Sequence, residues 1–428
     1  MDVELYPLIT EYSLILAGIV SKPTPPSTDI EFNGLTVRRH NNPDLIPGGE
    51  ATWNNLLSKS PVFSVCMHWK WMSLWRTHFR KENFESVILT FLDNGEKIGI
   101  FPLVLIQNND ARLNKRKLYF YGTGEKEVEE ITTEYIDLIV KPGYEQRVCE
   151  AAASYLFNNF TEWDVLELMR YRKDSIIVNY LFDALRKQGA KQHAYTCGYR
   201  HYISLNKSYE QYIASCSKSF RRNLTTHTNR LNALGNVEFK HVTTHEEIEV
   251  FLKTLKSMHL ERFKGRTAIS AFKSKAFTNY HRDLLHYLIE KNQLLLITCE
   301  LDKRIIAAEY ILIADNTAYA YQGSFYNKMD KISLGFLSIN KAIEIATTRG
   351  LHIFDFMLGA EDSYATSYGC EREAMYTSLI YNTKFHNYFS YAKIVLKMRV
   401  KGSIIVLKGF IDCIRTRYCL IRRVIKKS

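Results

Sequence analysis

Ser324-Phe-Tyr-Asn-Lys-Met-Asp-Lys-Ile-Ser-Leu-Gly-Phe-Leu-Ser-Ile-Asn-Lys-Ala-Ile343 reads as an aromatic strand, a basic loop and a helix that opens on Ser333-Leu-Gly335. A helix start exposes bare backbone N–H groups and the positive end of the helix dipole, and after a strand end both can face an anion. Turns of this composition also occur where nothing binds. The stretch therefore offers a phosphate site or a plain turn, and its neighbours decide between them.

Outward from it, Thr317-Ala-Tyr-Ala-Tyr-Gln-Gly-Ser-Phe325 is the strand that feeds the loop. Leu334 to Thr348 is the helix, and Leu351-His-Ile-Phe-Asp-Phe-Met357 the strand after it. Upstream, Gln293 to Glu300 and Arg304 to Ile313 flank the turn Leu301-Asp-Lys303 as a hairpin. The same order stands earlier in the chain. Ser86 to Leu92 and Lys97 to Ile106 flank Asp93-Asn-Gly95, and a helix over Tyr144 to Asn159 precedes the strand Trp163 to Met169, with Asp164 where Asp355 stands in the second copy. Further strands are predicted over Leu118 to Tyr121, Tyr135 to Val140, Tyr199 to Leu205 and Val237 to His241. Helices are predicted over Val62 to Arg76, with Trp69, Met72 and Trp75 on the core side, and over Tyr180 to Lys187, Ser208 to Leu234, Glu246 to Arg262 and 276–290. Two copies of one α/β unit with mixed sheets is the economical reading. Only the second copy has the loop and helix quoted above, since Gly122-Thr-Gly124 opens no helix and reads as a turn.

The 428 residues fit two to three domains, and 46% hydrophobic with 13% aromatic residues exclude a disordered chain. Four segments are expected: an appendage and Pro-rich linker over 1–29, domains over 30–200 and 201–388, and a basic tail over 389–428. The formal charge of +12 belongs mainly to that tail, where eleven Lys and Arg follow position 392 against Asp412 alone. Its mix of apolar and basic residues suits either an anionic membrane surface or a helix packed on the body, with nucleic acid a poor third. The eight cysteines are scattered, with no Cys-x-x-Cys and no His-Glu-x-x-His, so a reducing compartment and no metal site are expected. The apolar run Leu14 to Val20 is too short to span a bilayer and follows Asp2, Glu4 and Glu11. The expected location is the cytoplasm, peripheral at the inner face of the membrane through residues 393–428.

Hairpin, aromatic strand, Gly323 and then Ser333-x-Gly335, helix, Phe354-Asp-Phe-Met-Leu-Gly359 and Tyr364, all preceded by Ser217-Lys-Ser-Phe-Arg-Arg-Asn-Leu224, together resemble the cellulose-biosynthesis-associated CelD-like acetyltransferases. That family has a tandem acyl-CoA N-acyltransferase (GNAT) fold, similar in plan to the FemAB peptidoglycan aminoacyltransferases. The resemblance spans roughly residues 60–385. It implies transfer of an acyl group from acetyl-CoA or another acyl-CoA to an amine or hydroxyl of a small-molecule, envelope or polysaccharide precursor. Lys328, Lys331, Ser333, Leu334, Gly335 and Phe336 would hold the CoA pyrophosphate.

Tyr364 stands where the family often has the acid that protonates the leaving thiolate; otherwise it is one packing tyrosine among 27. Glu309 interrupts an apolar strand, so it either faces solvent or serves as general base. Asp355 is a catalytic group or a local structural one. Arg221, Arg222 and Asn223, with Tyr319, Tyr321 and Gln322, would bind the acceptor or a donor phosphate; the bland alternatives are a solvated helix face and core packing. Relatives commonly follow the tyrosine with lysine, where this chain has Ala365. Two rival readings stand beside the acyl-CoA enzyme: a FemAB-like transferase using aminoacyl-tRNA, and a GNAT-fold binding protein without catalysis.

Overall fold

The computed structural model describes residues 29–108, 115–264, 269–326, 329 and 331–382. All of the appendage expected over 1–29 except Asp29, the basic tail over 389–428 and Lys328 lie outside the described residues.

Strands and helices follow in chain order: β1 (Ile30–Phe32), β2 (Leu35–His40), α1 (Gly49–Leu57), α2 (Trp69–Phe79), β3 (Phe84–Asp93), β4 (Glu96–Asn108), β5 (Lys115–Phe120), β6 (Ile139–Val140), α3 (Glu145–Ser154), β7 (Val165–Arg172), α4 (Phe182–Lys187) and β8 (Lys191–Ser204). The second half runs α5 (Tyr209–Ser215), α6 (Lys218–Asn232), β9 (Val237–His241), α7 (His245–Arg262), α8 (Lys275–Glu290), β10 (Leu294–Leu301), β11 (Arg304–Ala314), β12 (Thr317–Phe325), α9 (Leu334–Thr348), β13 (Ile353–Gly359) and β14 (Glu371–Tyr381).

Among the described residues the strands form one sheet in the order β1-β2-β3-β4-β5-β7-β14-β8-β13-β12-β11-β10-β9, with β6 beside β4. The two copies exchange their last strands. β8 follows the first copy yet pairs with β13 of the second, while β14 lies between β7 and β8, antiparallel to both. The boundary expected at residue 200 thus falls inside β8, a strand bonded into the second half of the sheet.

In each copy one parallel pair begins and then splays. β5 and β7 pair from Lys117↔Val165 to Tyr119↔Glu167, and β12 and β13 from Thr317↔Ile353 to Tyr319↔Asp355. Beyond those points the strands part, and the copies differ in what fills the gap. In the first, the loop before β6 plugs it: the Tyr135 N–H donates to the Arg170 carbonyl at 2.8 Å, and Trp71 Nε1 donates to Thr133 Oγ1 at 2.9 Å. This explains one missed element. Tyr135 takes φ 57, so the strand expected over Tyr135 to Val140 shrinks to Ile139–Val140.

A second correction concerns the long helix expected from Ser208 to Leu234. Ser217 is extended, at φ −60 and ψ 153, and its side chain accepts from the Phe220 N–H at 3.1 Å, so α6 starts afresh behind a new cap. The tryptophan helix begins at Trp69 rather than Val62 and runs to Phe79; Met72 and Trp75 are buried as expected, with Trp71, Leu74 and Phe79, whereas Trp69 is only partly so. Helices α7 and α8 pack on one face of the second half with Tyr310, Tyr319 and Tyr321, and α9 packs on the other against Leu295, Ile297 and Ile311. The sheet therefore separates two layers, and the open gap between β12 and β13 joins them.

Candidate active site

The gap opens into a cleft of about 700 Å³. β12 contributes Ala320, Tyr321, Gln322, Gly323 and Phe325, and β13 contributes Phe356 and Leu358. From the start of α9 come Ser333, Gly335 and Phe336, and from α6 come Phe220, Asn223 and His227.

The first turn of α9 has no side-chain cap. Its loop is held from α6, where His227 Nδ1 accepts from the Ser333 N–H at 3.3 Å and Arg230 donates to the Lys331 carbonyl at 2.9 Å. A Cβ on Gly335 would lie 2.7 Å from Phe325 Cε1, so only glycine lets the helix start come this close to β12. The result is an N-terminus with free N–H groups beside a cleft, which suits a phosphate.

Glu309 on β11 faces the same cleft and is only 4% exposed. It pairs across the ladder with Gly323, and a Cβ there would collide with the carboxylate. Gly323 therefore makes the room in which Glu309 sits. Burial raises the Glu309 pKa well above the ordinary carboxylate value, opposed only by the charge of Arg262. A carboxyl group that holds its proton more firmly than usual has moved toward the range useful for a general base.

Tyr364 starts the short turn Tyr364–Tyr368, with its ring edge-on to Phe356 at 6.1 Å and to Tyr368 at 6.3 Å. Though 63% exposed as a residue, it lines the cleft, and loss of water together with the Glu309 charge pushes its pKa up to about 12. It is thus a phenol that stays protonated at neutral pH. Ala365 turns inward and is 1% exposed, packed with the residues between α9 and β13. A lysine at that position would have to bury its charge, so the departure at Ala365 goes with a closed local core.

In the ladder between β11 and β12, Tyr310↔Gln322 is followed by Ile311↔Ala320, which leaves Tyr321 as the extra residue of a bulge. Such bulges release a backbone N–H from the ladder at the rim of a site.

Several expected site residues stand elsewhere. Asp355 is fully buried and structural: it accepts from Arg200 Nε at 2.6 Å, the Tyr135 hydroxyl at 3.0 Å and the Met357 N–H at 2.7 Å. Tyr319 is buried, its ring 6.3 Å from that of Tyr135. Tyr321 borders the cleft but aims its hydroxyl away, at the Ile131 carbonyl and His281. Arg221 turns back to the Ala214 and Cys216 carbonyls, and Arg222 lies exposed on α6 without lining the cleft. Leu334 is core, and Lys331 sits in the loop at φ 69 outside the cleft lining. Gln322, Asn223, Ser333, Gly335 and Phe336 do come together with Glu309 and Tyr364. Sequence reasoning missed Arg262, Phe220, His227, Phe356 and Tyr368. A lone glycine in the aromatic run of β12 was the signal available for Gly323.

Known proteins share this architecture. Residues 218–368 match the model of an Acetyltransferase (GNAT) domain, so the second half carries an acyltransferase-type domain. No curated protein matches the chain. Among solved structures, FemX superposes with a TM-score of 0.53 at 10% identity, covering 78% of this chain and 96% of FemX. L-PGS from Bacillus licheniformis gives 0.48 at 10% identity, covering 84% and 97%. A tandem GNAT protein from the clavulanic acid biosynthesis pathway gives 0.46 at 10% identity, covering 81% and 98%. The fold is a tandem GNAT fold of two repeated units with a large mixed sheet. At these identities the likeness concerns the fold, and chemistry has to be argued from the cleft.

Proposed function

We propose that the protein is an acyltransferase that takes its acyl group from acyl-CoA, acetyl-CoA first among them, and gives it to an amine or hydroxyl of a small-molecule or envelope precursor. The observation that carries this reading is the uncapped start of α9 opening on the same cleft as a buried carboxyl group and a protonated phenol. With Lys331 turned out and Lys328 outside the described residues, the donor phosphates would rest on backbone N–H groups and Ser333.

With an amine acceptor, the ammonium gives one proton to Glu309, which relays it to solvent, and the free amine forms a C–N bond to the thioester carbonyl carbon. The bulge at Tyr321 offers a backbone N–H for the carbonyl oxygen as charge develops on it. The C–S bond then breaks, Tyr364 protonates the thiolate, and the proton left on nitrogen restores the phenol. Amide, free CoA thiol and one proton result.

Thiol release from acetyl-CoA tests this. Activity should fall about 10²- to 10⁴-fold in Glu309→Gln, and a similar loss is expected in Tyr364→Phe. Wild-type protein that binds CoA but shows no turnover, whatever the acceptor offered, would support a binding protein instead. A donor of aminoacyl-tRNA remains the second reading, favoured by exposed Lys218 and Arg222 on the first turns of α6. It predicts tRNA binding that weakens steeply with salt and no response to CoA. The tail over 393–428 would bring an envelope acceptor close by holding the protein at an anionic membrane surface.

A further inference from the structure

Arg262 closes α7 and reaches the cleft from the layer opposite α9. The body of α7 packs with Tyr319 and Tyr321, while α9 packs on the other face of the sheet. Its guanidinium lies over the Phe325 ring, 5.3 Å from the centroid. Among the described residues it makes no hydrogen bond and no ion pair. Glu309 is in the same position: the Arg262 charge acts on it through space, yet the two are too far apart to pair, and no described residue bonds to its carboxyl group. A guanidinium and a buried carboxyl group facing one cleft, neither bonded to a described residue, are satisfied together by a ligand that carries the complementary pair, an oxyanion and an amine.

We propose that the acceptor is a small zwitterion, with an amine that meets Glu309 and an oxyanion, carboxylate or phosphate, a few bonds away that Arg262 clamps. This rests on the acyltransferase reading and narrows it from amine or hydroxyl to an amine that bears an acidic group. Arg262 is assigned to the acceptor because it is the charge that acts on Glu309, the group that would take the amine proton, and both line the one cleft. The guanidinium lies over Phe325 and lines the cleft, and a guanidinium can take an oxyanion through two parallel hydrogen bonds. Phe356, Tyr364 and Tyr368 also line the cleft, and their rings suit the passage of a cationic amine.

The test uses the full chain and matched probes: β-alanine against propylamine, 6-aminohexanoate against hexylamine, phosphoethanolamine against ethanolamine, and glucosamine 6-phosphate against glucosamine. Binding is read by thermal shift and, with acetyl-CoA present, turnover by thiol release. The acidic member of at least one pair should bind or react about ten-fold or more better than its neutral partner. Arg262→Gln should erase that preference, and Arg262→Lys should restore part of it. Equal responses to both members of every pair, including no response to either, would overturn the proposal. So would a loss of CoA affinity in Arg262→Gln, which would move Arg262 to the donor. CoA binding by the wild type is measured separately, so failure of the acyl-CoA reading is told apart from failure of this one.

Discussion

Two glycines act by leaving space. Gly323 makes room for the Glu309 carboxyl group, and Gly335 lets α9 begin against Phe325. Gly323→Ala should displace Glu309 and lower turnover about as much as Glu309→Gln, with CoA affinity unchanged; thiol-release kinetics beside a CoA titration would check it. The pH profile follows from the same group. Because burial raises the Glu309 pKa, the acidic limb of kcat/KM should sit above the ordinary carboxylate range and vanish in Glu309→Gln. Tyr364, pushed to about 12, should give no alkaline loss near neutrality. Glu309 and Tyr364 were legible as an interrupted strand and a motif position. Arg262 was not, because a charged residue at a helix end is ordinary in sequence, and only the splay of β12 from β13 brings it into a cleft.

At the scale of elements, the exchange of β8 and β14 is fastened by ions. Arg200 on β8 holds Asp355 on β13, and Glu373 on β14 lies 3.6 Å from both Arg200 and Arg172. Asp355 was expected beside the chemistry, and its burial makes it structural instead, tying β13 and β8 to Tyr135, the plug of the first copy's gap. Asp355→Ala strips the buried Arg200 guanidinium of its nearest partner, leaving Glu373 at 3.6 Å, and should cost up to about 3–5 kcal/mol of stability. The prediction is a lower urea midpoint with unchanged KM for both substrates; a KM effect without loss of stability would restore Asp355 to the site. Hairpins, β12 and α9 could be read from turn residues and apolar period alone. The strand exchange could not, since β8 and β14 pair across long sequence separations that no local pattern records.

For the whole molecule, one copy is plugged and the other open, so the repeated fold offers a single gap among the described residues. The plug carries its own pH dependence. Glu134 is buried beside it, its carboxyl group accepts from the Leu358 N–H at 2.9 Å, and burial pushes its pKa up to about 8. A carboxyl group raised in the folded state is protonated there after the unfolded chain has lost its proton. Its contribution to stability is therefore full below about 4.5 and is lost as pH rises to about 8. Glu134→Gln should gain on the wild type across that window, by at most about 1.4 kcal/mol per pH unit, in urea melts at successive pH values. No helix among the described residues is long and apolar enough to cross a membrane. The central claim is that the open gap and the start of α9 form an acyl-CoA site. Calorimetric titration of the full chain with acetyl-CoA tests it most directly: one site is predicted, weakened about ten-fold or more in Gly335→Ala, whereas no binding by the wild type, or equal affinity in the variant, would contradict it.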